Sequence, residues 1–268
     1  MNLRDAVVIV TGSATGVGAA CVRQLAERGA RVVVNYSRSR TEAVETADLC
    51  RSLGAEVEMI QADVSDDHAC RAMVAAVFER WGRLDALVNN AATTVKSDPF
   101  DLETLSADDF QAVFAVNVVG AYQMCRAAIP VMRRGGGGAI VNVSSNVAFT
   151  GGGSSLAYTA SKGALNALTM ALARTNGPNI RVNAVCPGVI DTRWMRQALG
   201  PDGYAGLAKR FSETAPLGRV ATPDDVAGAV VWLIEGADFI TGELISIDGG
   251  VRLAGGVRKP AVQAGGGT

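Results

Sequence analysis

Short runs of consecutive apolar, often β-branched residues alternate along the chain with longer stretches in which apolar residues return every three or four positions. The runs are Ala6–Val10, Arg31–Val34, Glu56–Ile60, Ala86–Val88, Ala139–Val143, Arg181–Val185 and Leu244–Ile247. A strand with one wet face alternates apolar and polar residues, whereas nearly continuous apolar runs belong to strands covered on both faces. The intervening stretches, Gly18–Arg28, Thr41–Leu53, Asp66–Trp81, Ser106–Arg133, Leu156–Thr175 and Pro223–Glu235, carry the helical period. Strands alternating with helices predict βαβ units, hence an α/β fold: a doubly wound, seven-stranded parallel sheet with helices on both faces. No linker divides it, since the glycine run 135–138 is short and joins a helix to a strand. A single domain over residues 1–250 is expected. Residues 251–268 form a tail, rich in Gly and Ala and aperiodic from Gly255 to Thr268, which is expected to be mobile.

Composition narrows the function. Of 268 residues, 49% are hydrophobic, enough for one large core. Lys plus Arg number 25 against 26 Asp plus Glu, with no block of like charge, so no electrostatic nucleic-acid partner is expected. The five cysteines, Cys21, Cys50, Cys70, Cys125 and Cys186, are scattered and form no CxxC pair; they read as reduced thiols. The single histidine, His68, cannot build a metal cluster and is expected on a helix surface; no metal is expected. The first strand begins almost at once, so no signal peptide is expected, and no apolar run approaches the ~20 residues of a membrane span. A cytoplasmic protein is expected.

Candidate chemistry sits at two places. Thr11-Gly12-Ser13-Ala14-Thr15-Gly16-Val17-Gly18 follows the first strand and opens the first helix. Glycines there allow a tight turn and close approach of backbone to a diphosphate, which the helix N-terminus then faces with free N–H groups and a positive dipole end. The spacing Gly-xxx-Gly-x-Gly lacks the Gly-Lys-Ser/Thr ending of a nucleotide-hydrolysing loop. Further on, Tyr158 and Lys162 stand at i and i+4, one turn apart on one helix face. A free phenol has a pKa of about 10, and a neighbouring ammonium is expected to lower it toward use as a general acid/base. Ser144 and Ser145 end a buried strand, on the side of an α/β sheet where ligands bind.

Taken in order, Thr11-Gly-xxx-Gly-x-Gly18, Asp63-Val64, Asn89-Asn90-Ala91, Asn117, Ser145, Tyr158-xxx-Lys162, Pro187-Gly188 and Asp248-Gly249-Gly250 resemble the short-chain dehydrogenase/reductase family over residues 3 to about 250. The resemblance implies a Rossmann-type fold and a nicotinamide-dependent oxidoreductase. It implies Tyr158 as acid/base, Lys162 as the residue that tunes it and binds the nicotinamide ribose, Ser145 as the group orienting the substrate carbonyl, and Asn117 as support for a water linking Lys162 to solvent. For the cofactor it implies Gly12, Ser13, Thr15, Gly16, Val17 and Gly18 at the phosphates, Asp63 and Val64 at the adenine, Asn89 and Ala91 alongside, and Pro187, Gly188, Val189, Ile190 and Thr192 at the nicotinamide. Two departures stand out: Ala92 occupies the family's usual glycine place, where a positive φ would strain it, and Gly177-Pro178 stops the preceding helix early.

Cofactor choice is set at the end of the second strand, where a carboxylate favours NAD and an arginine accommodates the 2′-phosphate of NADP. Asn35-Tyr36-Ser37-Arg38-Ser39-Arg40 offers donors and positive charge and no carboxylate before Glu42, so NADP(H) is expected, with NAD(H) as the alternative. The segment from about 193 to 215, with Trp194, Met195, Leu199, Tyr204 and Phe211, is expected to form a lid over a partly apolar pocket. Val34-Asn-Tyr-Ser37 and Ile240-Thr-Gly-Glu243 are similar to 3-oxoacyl-[acyl-carrier-protein] reductases. That similarity implies a 3-oxoacyl thioester substrate and an acidic carrier-protein partner near Arg133 and Arg134, although Asn179 stands where those reductases often have a basic residue. Sugar, polyol, steroid and quinone-like carbonyls stay open.

Two other classes compete. One is a regulatory protein that binds cofactor without turnover, disfavoured by the intact Ser145, Tyr158 and Lys162. The other is nucleotide-sugar dehydration or epimerisation, whose relatives carry a further substrate domain. The resemblance also implies a homodimer or homotetramer built through Ser106–Arg133 and Leu156–Thr175.

Overall fold

The computed structural model describes residues 1–253, apart from the side chains of Trp194, Gln197 and Ala198. The expected tail from Gly255 lies outside the described residues, as does the Trp194 side chain assigned to the lid.

The first strand shows why its sequence is unbroken Val-Val-Ile-Val. β1 (Val7–Val10) is buried at every position. Val8 and Val10 enter one apolar cluster, and Val7 and Ile9 enter another on the opposite face. The same alternation holds in β2 (Arg31–Tyr36), β4 (Ala86–Asn89) and β5 (Gly138–Val143). The first cluster is closed by α1 (Gly16–Ala26), α2 (Arg40–Ser52) and α9 (Pro223–Glu235), the second chiefly by α3 (Asp67–Trp81) and α5 (Ala121–Arg134). With β3 (Val57–Gln61), β6 (Ile180–Pro187) and β7 (Leu244–Ile247), seven parallel strands run in the order β3-β2-β1-β4-β5-β6-β7. Chain order turns back between β1 and β4, and the crevice at the carboxyl ends of those strands is where open α/β sheets bind ligands. This is the expected Rossmann-type fold.

Three differences from the sequence reading bear on the site. The expected helix Ser106–Arg133 is α4 (Ala107–Phe114), a widened π segment (Ala115–Gly120) and α5. Widened turns gather at functional positions because they re-aim a side chain, and Asn117 lies in this one. A Cβ on Gly120 would come within 2.7 Å of Val64 Cγ2, so the glycine lets this helix approach the end of β3. By length and composition Ala107–Arg134 is apolar enough to cross a bilayer; here it packs against the sheet and α3. Two helices lacked a clear period: α6 (Val147–Thr150), one turn long, and α8 (Arg193–Thr214), broken by Gly200 at φ 70°, ψ 171° ahead of Pro201. α7 (Leu156–Asn176) ends where Gly177 turns extended. Ala92 is not in the left-handed region, which among the described non-glycine residues only Asp5 occupies, so its methyl is unstrained.

Candidate active site

The glycine loop is shaped from behind by polar side chains that do not face the crevice. Gly12 (φ 61°) and Gly16 (φ 59°) take backbone conformations that favour glycine. A Cβ on Gly12 would sit 2.9 Å from Ala91 Cα, and one on Gly18 would sit 2.6 Å from both Asn90 Nδ2 and Gly12 O. Asn90 Nδ2 donates to the Thr11 and Gly12 carbonyls at 2.9 and 3.0 Å. Thr11 Oγ1 accepts from the Asn90 and Ala91 N–H groups, tying β1 to the end of β4. Buried Ser13 donates to Val10 O and accepts from Asn35 N–H. Asn35 Oδ1 accepts from Gly12 N–H, while its Nδ2 donates to Ile60 O and Ala62 O. The side chains of Ser13 and Asn35 therefore hold the loop, and those of Val17 and Tyr36 are buried in the apolar cluster. The front differs. Thr15 precedes α1 in extended conformation and its side chain makes no cap bond, so the helix N-terminus has no side-chain acceptor. A diphosphate fits that position: unbranched backbone, a bare helix end and a positive dipole.

Around the loop, Ser37, Arg38 and Arg40 are exposed. Asp63 Oδ1 accepts from the Ser65 hydroxyl and N–H; these bonds, aided by the charge of Arg38, hold its carboxyl below the usual range. Val64 is buried against Gly120. Asn89 does not turn its side chain to the crevice: Nδ2 donates to Asn142 Oδ1 and Cys125 Sγ beneath the sheet, and Asn142 passes the chain on to Thr169. Across the crevice, a Cβ on Gly188 would come within 3.0 Å of Asp248 Cβ, fixing the backbone after β6. Val189 and Ile190 pair with Ala221. Thr192 caps α8 by accepting from Met195 N–H, and its methyl would lie 3.7 Å from a Cβ on Gly16. Thus the loop and the start of α8 face one another.

The second cluster forms at the ends of β5 and α7. Ser155 caps α7 by accepting from Tyr158 N–H, which sets the tyrosine in the first turn. The Ser145 hydroxyl lies beside the Tyr158 phenol and draws its pKa down, while Ser145 Oγ donates to Pro187 O at 3.5 Å and accepts from Val147 N–H at 3.4 Å. Lys162, fully buried one turn on, donates from Nζ to Val143 O at 2.9 Å, with Nζ 5.5 Å from the Tyr158 ring centre. Asn117 pins the strand-to-helix loop, accepting from Thr93 N–H and donating to Thr93 O, and also donates to Ser161 Oγ, which itself donates to Tyr158 O. Sequence-predicted Asn117, Ser145, Tyr158 and Lys162 thus meet in one cluster. Burial pushes the Tyr158 phenol up to about 12, partly offset by the neighbouring Ser145 hydroxyl, and pushes Lys162 down to about 8. Burial outweighs the other influences on the phenol, while the Lys162 amine is aimed at the Val143 carbonyl and is itself desolvated.

Asn90 and Thr11 escaped the sequence reading as site-forming residues. Asn90 stood in plain view in the Asn-Asn-Ala motif, but bracing a loop from behind leaves no spacing signal. Phe149, 44% exposed just beyond Ser145, lies under Arg252, whose guanidinium is 5.6 Å from the ring centre. Among the described residues no His, Cys, Asp or Glu group could hold a metal.

Comparison with known proteins places these features in a wider set. The sequence profile described as enoyl-(acyl carrier protein) reductase matches residues 12–252. A Streptomyces violaceoruber protein named as a ketoacyl reductase of granaticin polyketide synthase is 39% identical over 92% of this chain and 96% of its own. A 3α-hydroxysteroid dehydrogenase of Mediterraneibacter gnavus is 37% identical over 94% of this chain and 99% of its own. A crystal structure from Burkholderia xenovorans, described as a short-chain dehydrogenase/reductase, superposes with a TM-score of 0.87 at 39% identity, covering 93% of this chain and 98% of that one.

Proposed function

Because this chain belongs to the short-chain dehydrogenase/reductase family of oxidoreductases, we propose that it moves a hydride between NADP(H) and the carbonyl or secondary alcohol carbon of a small substrate. The observation that carries the reading is the placement of Tyr158 in the first turn of α7 with buried Lys162 one helical turn on, its Nζ 5.5 Å from the phenol ring centre, at the carboxyl edge that also holds Ser145 and the glycine loop. When bound, the nicotinamide supplies or accepts the hydride. The protein's own residues do the rest. Ser145 holds the substrate oxygen. Tyr158 gives that oxygen its proton in reduction and takes it back in oxidation, work typically worth 10²–10⁴-fold. Lys162 keeps a proton source one turn away, and Asn117 fixes the loop and helix that frame both. Gly12, Gly16, Gly18 and the uncapped start of α1 take the diphosphate, with Thr15 and Val17 supplying backbone. Asp63, Val64, Ala91 and the Asn89 backbone flank the adenosine half. Pro187 to Ile190 and Thr192 flank the nicotinamide, and Arg38 with Ser37 and Arg40 receives the 2′-phosphate.

The leading substrate is a 3-oxoacyl thioester, supported by the ketoacyl-reductase relative. A carrier-protein partner is weaker: Arg133 already donates to Asn176 Oδ1, and Arg134 stacks on Phe78. The hydroxysteroid relative and exposed Phe149 support a second reading, a ring-shaped alcohol. Exposed Phe110, Val119, Tyr122 and Met170 on α4 to α7 support self-association into a dimer or tetramer. The five buried, free cysteines suit the cytoplasm.

Initial rates with acetoacetyl thioester and with a hydroxysteroid, each with NADPH or NADH and its oxidised form, test all of this. A rate at least tenfold higher with the phosphorylated cofactor is expected; equal or better use of NAD(H) overturns that choice. With the phenol protonated through neutral pH, reduction stays level there and oxidation climbs as the solution becomes alkaline.

A further inference from the structure

Most ion pairs near the lid are local. Arg196 grips Asp191 five residues away with two bonds of 2.7 Å, and Arg219 pairs with Asp225. One pair is not. Arg193, the first residue of α8, donates from Nη2 to Glu42 Oε1 at 2.6 Å, across 151 residues of sequence. Glu42 lies in the first turn of α2, which follows β2, whereas Arg193 follows β6. In the sheet β1, β4 and β5 stand between those two strands, and the glycine loop rises from β1. The pair therefore reaches over the carboxyl edge, directly beside the spot where Thr192 faces Gly16.

We infer that Arg193 and Glu42 are positioning residues that strap the lid to the nucleotide half of the molecule and thereby retard cofactor release. This rests on the dinucleotide reading of the crevice above. A dinucleotide held along the glycine loop would have to pass this bridge to leave, since Thr192, next to Arg193, stands over Gly16. The arm that carries Arg193 is stiffened at its base: Asp191 N–H donates to Ala221 O, and the Asp191 carboxylate accepts both bonds of Arg196. Beyond it the helix breaks at Gly200 (φ 70°, ψ 171°), and the Arg196–Tyr204 contact carries the first arm's position across that break to the second. The guanidinium of Arg193 holds the Glu42 carboxyl below the usual range. Both side chains are partly exposed, 56% and 26%, so the strap is weak and reversible, as a gate on cofactor exchange requires.

The test is the rate of NADPH release, followed by stopped-flow fluorescence on the full chain. Arg193→Gln and Glu42→Gln should each speed release by about two- to fivefold at low salt, the range of an exposed ion pair. The charge swap Arg193→Glu with Glu42→Arg should return it to within about twofold of the parent. Near 1 M salt, where screening acts within about 3 Å, the differences should shrink. Without cofactor, each single variant should be cut faster by protease within 193–214, while melting temperature stays within about 2 °C of the parent. Release unchanged in the single variants, or a swap no slower than they are, overturns the strap while leaving the dinucleotide reading intact. A parent chain that binds neither NADPH nor NADH takes both down together.

Discussion

The nucleotide half and the substrate half of this molecule are built on different principles. From β1 to β4, polar side chains point inward and fix backbone: Asn35, Ser13, Thr11 and Asn90 all make hydrogen bonds that shape one glycine loop. What is offered to a ligand there is mostly main chain. From β5 onward the offer is side chains, with Ser145 just beyond β5, Tyr158 and Lys162 on α7, and Phe149 and the broken α8 around them. A bound group common to a whole family can be met by backbone alone, and backbone demands fixed residues. A variable substrate needs a replaceable wall, and a wall places few demands on sequence. The difference teaches where substitution should hurt and where it should not.

The largest expected effect lies in the substrate half. Tyr158→Phe removes the proton donor and keeps the ring, so turnover should fall by about 10²–10⁴ while NADPH affinity, set mostly by the other half, should change less than about threefold. Titrating cofactor fluorescence alongside steady-state rates separates the two. Equal turnover in parent and variant would remove Tyr158 from the mechanism; a parallel loss of cofactor binding would erase the division between the halves.

That division also explains what could be read in advance. The seven strands were legible because burial on both faces demands unbroken apolar runs, as in β1. The loop and the Ser-Tyr-Lys cluster were legible because diphosphate binding and proton transfer need particular residue types at particular spacings. Asn117 was legible only through family resemblance, since its bonds to Thr93 and Ser161 join segments far apart in sequence. The π turn that carries it leaves the apolar period nearly intact, so one continuous helix was the natural expectation. The break in α8 at Gly200-Pro201 was marked in the residues, but a broken amphipathic arm carries too short a period to stand out from a loop. The pKa values were not legible at all: spacing puts an amine near a phenol, but only the fold shows that both are desolvated.

That desolvation makes Lys162 a liability to the fold. Its amine falls from an ordinary value of 10.5 to about 8. Above 10.5 the amine is neutral whether the chain is folded or not. Between 10.5 and 8 the unfolded chain takes up a proton that the folded chain refuses, so stability should fall as pH is lowered through that window. Below it the penalty is constant. Lys162→Met should therefore raise stability at neutral pH by about 1–3 kcal/mol and flatten the dependence between pH 8 and 10.5, while abolishing most turnover. Denaturant melts at several pH values read this directly. A variant less stable than the parent at pH 7 would mean that the bond to Val143 O outweighs the cost of burying the charge.

Two alanine substitutions probe the contrast at its smallest scale, one methyl group in each half. In the nucleotide half, a Cβ on Gly18 would meet Asn90 Nδ2, Gly12 O and Ser13 Cα, all within 2.7 Å, and two of these three are backbone atoms that cannot yield cheaply. Gly18→Ala should cost about 1–3 kcal/mol by overpacking and weaken cofactor binding as the loop shifts. In the lid, Gly206 lies within the second arm of α8, and nothing stands within 4 Å of its Cβ position. There the methyl meets no obstacle and the unfolded chain loses freedom, so Gly206→Ala should stabilise by about 0.5–1 kcal/mol. Catalysis is the sharper readout of the pair. If the lid must unwind locally to admit substrate, Gly206→Ala should lower kcat/KM modestly while cofactor affinity holds; if it moves as a stiff arm about Gly200, both should be unchanged. Gly18→Ala tolerated as readily as Gly206→Ala would mean that the loop is not the rigid element its bracing implies, and the two halves would no longer differ in kind.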